Sequence, residues 1–208
     1  MRTYIYVDGF NLYYGSLKNT QYKWLDLNNL FHRILPSYNE IRKIKYFTAR
    51  IKNRPNNPAQ ANRQAIYLRA LAAYSPNIDF YFGHFLSHPM RMPLANPTRP
   101  QQYCDVIKTE EKGSDVNLAV HFLNDAWLDN YDCAVLVTND SDFAEALNLI
   151  RQYFPAKKIG LITPGRNHPS KELAQKCHFQ RRIRQGALAN SQLPFLIPNT
   201  SNSKPEIW

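Results

Sequence analysis

The hydrophobic pattern along the chain switches repeatedly between an extended and a helical period. Residues 3–8 (TYIYVD) read as a short buried strand closed by Gly9. Leu27, Leu30, Phe31 and Ile34 recur at helical spacing, which predicts a helix over about 26–35 that stops before Pro36. Residues 41–51 (IRKIKYFTARI) alternate apolar and basic side chains, as a strand with one wet face does. Residues 59–74 are rich in Ala and Leu and lack Gly and Pro, so they predict a helix, and 78–86 (IDFYFGHFL) predicts a third strand. Prolines at 89, 93, 97 and 100 then break the pattern, in company with Arg91 and Arg99, and 87–102 reads as an inserted loop. After a strand at about 103–109, Leu118, Ala119, Phe122, Leu123 and Ala126 form one helical stripe that starts at Asp115. A strand at 133–138, a helix at 142–153, a strand at 158–163 (KIGLIT) and a helix at about 170–176 complete the series.

Strands and helices in alternation predict an α/β fold: a single domain with a largely parallel central sheet flanked by helices on both faces. A length of 208 residues suits one such domain over 1–185, with an extension at 186–208. The segment after Pro194 is polar and rich in Pro, Asn and Ser, and is expected to be disordered past about 199. No apolar run approaches the roughly 20 residues of a membrane span, and Asp8 interrupts the N-terminal stretch too early for a signal peptide. Cys104, Cys133 and Cys177 are odd in number and widely spaced, which suits a reducing cytoplasm and excludes a disulfide framework. His84 and His88 stand four apart without the companions a zinc site needs.

Charge adds a second pattern. The net charge is +10, yet ten of the sixteen acids lie between Asp105 and Glu145, with only Lys108 and Lys112 as basic company. A basic body around an acidic segment suits a polyanionic ligand handled at a cation-holding centre. Parallel sheets bind ligands outside the carboxyl ends of their strands. Asp8 ends the first strand, Asp140 follows the strand at 133–138, Asp142 opens the next helix, and Asp115 opens a helix on the side of Leu118 and Phe122. Taken singly, Asp115, Asp140 and Asp142 could each be a helix cap. Together with Asp8 they would repel one another, and a divalent cation with oxygen ligands resolves that; Mg²⁺ or Mn²⁺ suits the set better than Zn²⁺.

Three stretches, "YVDGFNLYYG", "EKGSDVNLAVHFLNDA" and "VLVTNDSDFAEAL", resemble in that order the NYN domain family, a branch of the PIN-like and FLAP-nuclease superfamily of metal-dependent ribonucleases. The likeness covers about residues 1–185 and implies a PIN-like domain. It implies that Asp8 is a metal ligand oriented with the help of Asn11, that Asp115 and the pair Asp140 and Asp142 complete the acidic set, and that Lys112 faces a phosphate. Thr138-Asn139-Asp140 departs from the family's more usual Ser-Gly-Asp or Ser-Ser-Asp turn but keeps the acid. Glu111 reads as an outer partner of the site or as a solvated pair with its neighbouring lysine.

The activity this implies is endoribonucleolytic, on single-stranded or tRNA-like RNA. Arg42, Lys43, Lys45, Arg50, Lys52 and Arg54 form one candidate RNA-binding set, and Arg181, Arg182 and Arg184 another. Tyr13, Tyr14, Tyr22 and Trp24 would either stack on bases or fill the core. Two further readings stand beside the nuclease. One is a non-catalytic RNA-binding or partner module on the same fold. The other is an NADH-dependent aromatic hydroxylase, as described for some NYN-like proteins, although none of the seven glycines forms a G-x-G. The D-x-D at 140–142 also fits a sugar-nucleotide transferase, which leaves Asp8 and Asp115 without a role. The segment 87–102 could serve as a substrate loop or as the contact of a homodimer.

Overall fold

In the computed structural model, which describes residues 1–98, 100–165 and 168–206, seven strands form one sheet in the order β4-β3-β2-β1-β5-β6-β7. The strands are β1 (Arg2–Asp8), β2 (Glu40–Ala49), β3 (Ile78–Thr98), β4 (Gln101–Lys112), β5 (Cys133–Val137), β6 (Lys158–Thr163) and β7 (Phe179–Arg182). All neighbours are parallel except β3 and β4. The chain runs outward from β1 through β2 to β3, then returns to the other flank of β1 as β5. The order therefore reverses beside β1, and a crevice opens there between the carboxyl ends of β1 and β5.

Alternating strand residues divide the interior into two cores. Ile5, Val7, Ile44, Val135 and Val137 face α2 (Leu27–Ile34) and α3 (Gln60–Tyr74). Tyr6, Phe47, Ala134, Leu136 and Leu161 face α4 (Ser114–Trp127) and α5 (Ala144–Tyr153). Helices thus cover both faces, as the run of buried β-branched and aliphatic strand residues requires. The helix expected over about 26–35 starts at Leu27 behind an Asp26 cap, whose side chain accepts from Asn29 N.

The segment 87–102 is not a loop. β3 continues through Thr98 and pairs antiparallel with β4, so the two form a long hairpin that carries Pro89 opposite Ile107 and Pro93 opposite Tyr103. Pro89, Pro93 and Pro97 share one parity, so their missing N–H groups all fall on one side of the strand. Pairing with β2 ends at Gly83, and beyond it β3 has an outer edge where a proline forfeits no ladder bond. Arg99 lies outside the described residues.

Near both ends of the chain the structure adds elements that the hydrophobic pattern did not show. The chain turns straight from β1 into α1 (Gly9–Leu12) and a π-helical turn, Tyr13–Leu17. At the other end, α6 (Lys171–Lys176) stands where a helix at about 170–176 was expected, whereas β7 and α7 (Gln185–Ala189), which begins an extension that is part of the fold, were not foreseen. Leu188, Leu193 and Ile197 of this extension are buried, and Trp24 Nε1 donates to the Pro194 carbonyl at 2.8 Å. Past residue 199, where disorder was expected, Ile197 N still donates to Asn202 O and Lys204 N to Phe195 O.

Candidate active site

Asp8 ends β1 at the sheet's crevice and is almost fully buried. Both of its oxygens are engaged. Oδ1 accepts from Asn11 N at 2.9 Å, and Oδ2 accepts from Asn11 Nδ2 and from Thr138 Oγ1, each at 2.9 Å. Burial raises its pKa and these donors work in the opposite direction, with Asp140 adding to the rise. Gly9 is needed because a Cβ there would stand 2.8 Å from both the Phe47 carbonyl oxygen and the Tyr46 ring.

The turn after β5 is tied into the same network. Thr138 Oγ1, besides donating to Asp8, accepts from Asp140 N at 3.2 Å. Asp140 in turn accepts from Asp142 N at 3.0 Å and caps the short 3₁₀ turn Ser141–Phe143. Asn139 N donates to Asn11 Oδ1 at 3.2 Å, while its side chain bonds Ser170 N at 2.7 Å and the His168 carbonyl at 3.2 Å. Asn139 is therefore a clasp between the acid turn and the segment before α6.

Asp115 lies in the first turn of α4, whose start is fixed by Glu111: its carboxylate accepts from Ser114 N at 3.1 Å and from Ser114 Oγ at 2.7 Å. Burial and the charges of Asp8, Asp140, Glu111 and Asp142 push the Asp115 carboxyl up to about 6. The sequence-predicted acids are thus brought within each other's fields. Among the described residues, however, no three His, Cys, Asp or Glu side chains are gathered closely enough to hold a metal ion as they stand. The donors are all oxygen, the chemistry that Mg²⁺ or Mn²⁺ takes, and the repulsion of Asp115 by its neighbouring carboxylates is what such a cation relieves.

Four of these acids, Asp8, Glu111, Asp115 and Asp140, line a cleft of about 1560 Å³ where β1 ends and α4 begins. Phe85, Ser87, Ile107 and Thr109 of the hairpin line it, as do Tyr13 and Tyr14 of the π-helical turn and Lys18 just after that turn. Lys52 and Arg54, from the loop between β2 and α3, and Arg63 of α3 line the cleft as well. That loop is clamped to α3: Ile51 N donates to Gln64 Oε1 at 3.0 Å, Ala61 N donates to Asn53 Oδ1 at 3.1 Å, and Arg63 bonds Asn57. Arg63 and Lys18 were not foreseen. The available signal for Arg63 was a helix carrying two arginines and no acid.

Other expected site residues lie elsewhere. Strand alternation sends Lys112 to the face of β4 opposite Glu111, where it pairs with Glu110 at 3.3 Å, so it does not face the acids. Lys45 is buried and pairs with Asp125 at 2.6 Å, an acid that also accepts from Tyr6 Oη at 2.6 Å. Lys43 is paired with Asp79 at 3.0 Å and Arg42 with Glu40 at 2.8 Å, while Arg50 stacks on Phe82 with 4.6 Å to the ring centre. Asp142 is exposed and does not line the cleft. Arg181, Arg182 and Arg184 line a separate cavity at the β7 edge. Among the four aromatics, Tyr13 and Tyr14 are exposed beside the cleft, Tyr22 packs partly buried on the core, and Trp24 is fully buried.

Comparison with known proteins places the chain among relatives. The chain is 38% identical over 236 residues to the 6-hydroxy-3-succinoylpyridine 3-monooxygenase HspA of Pseudomonas putida, a match covering 100% of this chain and 75% of that protein. Its fold is similar to the crystal structure of a protein of unknown function from Vibrio parahaemolyticus, with a TM-score of 0.55 at 20% identity, covering 92% of this chain and 96% of the other. The NYN domain model matches residues 2–181, and the chain belongs to the NYN domain family.

Proposed function

We propose that the chain is a metal-dependent endoribonuclease that hydrolyses RNA phosphodiester bonds in the cleft beside β1 and β5. The observation that carries this reading is the polarity of one cleft, acidic at the crevice and basic along the loop and α3. A polyanion is attracted to Lys18, Lys52, Arg54 and Arg63, but the acids at the crevice would repel its phosphates unless a cation stood between them. Asp8, Asp115 and Asp140 would hold Mg²⁺ or Mn²⁺, with Glu111 beside them in the cleft and Asp142 adding its charge from the surface, and the ion would supply Lewis acidity and a water of lowered pKa.

The chain's own residues do the rest. Asn11 and Thr138 hold the Asp8 carboxylate in one orientation. The exposed rings of Tyr13 and Tyr14 stand 5.2 Å apart, edge to face, and offer a surface on which an unpaired base stacks. The free thiols of Cys104, Cys133 and Cys177 are in keeping with a reducing compartment. Among the described residues no helix is long and apolar enough to cross a membrane.

The name of the Pseudomonas relative favours a second reading, oxygenation of a pyridine ring, because the identity runs along the whole chain. Two assays on one preparation separate the readings. Labelled single-stranded RNA is incubated with Mn²⁺, and 6-hydroxy-3-succinoylpyridine is incubated with NADH in air. The nuclease reading expects shortened RNA and unchanged NADH absorbance. Substrate-dependent NADH loss with intact RNA would replace it with the oxygenase.

A further inference from the structure

A second cavity, of about 650 Å³, lies at the β7 edge of the sheet, away from the acids. Four arginines line it: Arg33 from the last turn of α2, Arg181 and Arg182 from β7, and Arg184 at the start of α7. No acidic side chain is in the described lining. Among the described residues, Arg33, Arg181 and Arg184 have no carboxylate partner in the ion pairs of the fold. The contacts two of them make are with neutral groups: Arg33 Nε donates to Asn29 Oδ1 at 2.9 Å, and Arg181 donates to the Gln180 carbonyl at 2.8 Å. The charges of Arg33, Arg181 and Arg184, gathered on one concave surface without a carboxylate among their partners, favour an anion, and guanidinium forks match phosphate oxygens two at a time.

The cavity is also joined to the acid turn. Pro169 lines it, and the residues on either side of Pro169 are held by one side chain, that of Asn139: His168 through its carbonyl and Ser170 through its N–H. Asn139 directly precedes Asp140, which lines the cleft. A strand with phosphates in both places therefore engages two ends of one hydrogen-bonded clasp.

We propose that this arginine cavity is a phosphate-binding subsite that holds the backbone of an RNA strand at a distance from the acids, so that the protein favours strands long enough to occupy both. The ligand's identity as RNA rests on the nuclease reading; the phosphate chemistry does not. The test uses the full chain carrying Asp140→Asn, with and without Arg33→Gln and Arg184→Gln. Fluorescence anisotropy follows a labelled RNA 20-mer and trinucleotide over a salt series, with inorganic pyrophosphate as competitor.

The proposal expects the two arginine substitutions to weaken 20-mer binding about tenfold and to flatten its log–log salt slope by about 1.4, while trinucleotide binding stays within about twofold. Arg33→Lys with Arg184→Lys should restore most of the loss, which separates charge from misfolding. Equal losses for both oligonucleotides, or no loss for the 20-mer, would overturn it. Pyrophosphate binding that needs the arginines while 20-mer binding does not would mean a free phosphate ligand and overturn the strand reading. Wild-type cleavage of the same 20-mer is scored separately: an inert wild type that shows arginine-dependent binding contradicts the nuclease and leaves the subsite standing.

Discussion

Asp115 is the residue at which the site's electrostatics can be read most directly, because its carboxyl is pushed up to about 6 by burial and by four other carboxylates. The folded chain holds this proton more tightly than the unfolded chain does. Folding stability therefore falls as pH rises from about 4 through about 6. In chelator, Asp115→Asn should raise the melting temperature at pH 7.5, and the difference should vanish near pH 4. Adding Mg²⁺ to wild type at pH 7.5 should recover part of the same stability. A variant that melts lower than wild type at both pH values would show that the acids do not strain one another.

Two lysines close in sequence separate binding from structure. Lys45 and Lys52 both belong to the basic run around β2, but Lys45 is inside, bonded to the buried Asp125, and Lys52 lines the cleft. Lys45→Met leaves Asp125 without its cation and should cost about 3–5 kcal/mol in urea denaturation, with unchanged RNA affinity of the folded protein. Lys52→Ala should leave stability within about 0.5 kcal/mol and reduce the salt slope of RNA binding by about 0.7. The sequence could not separate them, because Asp125 is 80 residues from Lys45 and only the folded sheet brings it there.

At the scale of elements, the strands and helices that bury a regular apolar face were legible: β1, β2, β5 and β6, and α2, α3, α4 and α5, all stand close to where the hydrophobic rhythm puts them. The hairpin was not, because the proline rule that argues against a strand applies to strands paired on both sides, and the outer half of β3 has one free edge. Nor was the helical turn after Asp8. Tyr13, Tyr14 and Gly15 carry no helical stripe, and their conformation follows from Asp8 capping α1. The hairpin matters to the site because it sets the start of α4. Gly83 lets β3 pass against that start, and a Cβ there would run into the Glu111 carboxylate, the Lys112 carbonyl and Ser114 N. Gly83→Ala should cost about 1–3 kcal/mol and shift the Asp115 environment. Unfolding in urea measures the first effect; loss of the pH-dependent difference between this variant and its Asp115→Asn double measures the second.

For the whole molecule, the acids were legible and their surroundings only in part. Each of Asp8, Asp115 and Asp140 ends or opens an element at the carboxyl edge, where a sheet of this kind binds its ligands. The basic wall depended on tertiary structure: Lys18 and Arg63 come from separate elements and meet Lys52 and Arg54 only across the cleft. Lys112 shows the converse, since one step of strand alternation moves it to the far face.

The most direct test of the account is cleavage of labelled single-stranded RNA, tRNA and single-stranded DNA by wild type and by the Asp8→Asn, Asp140→Asn double variant, each in Mg²⁺, Mn²⁺ and EDTA, with circular dichroism confirming the fold. The account predicts RNA cleavage that requires a divalent cation and falls about a hundredfold or more in the variant. Cleavage that survives EDTA and both substitutions, or a folded wild type that cuts none of these substrates with either cation, would contradict it.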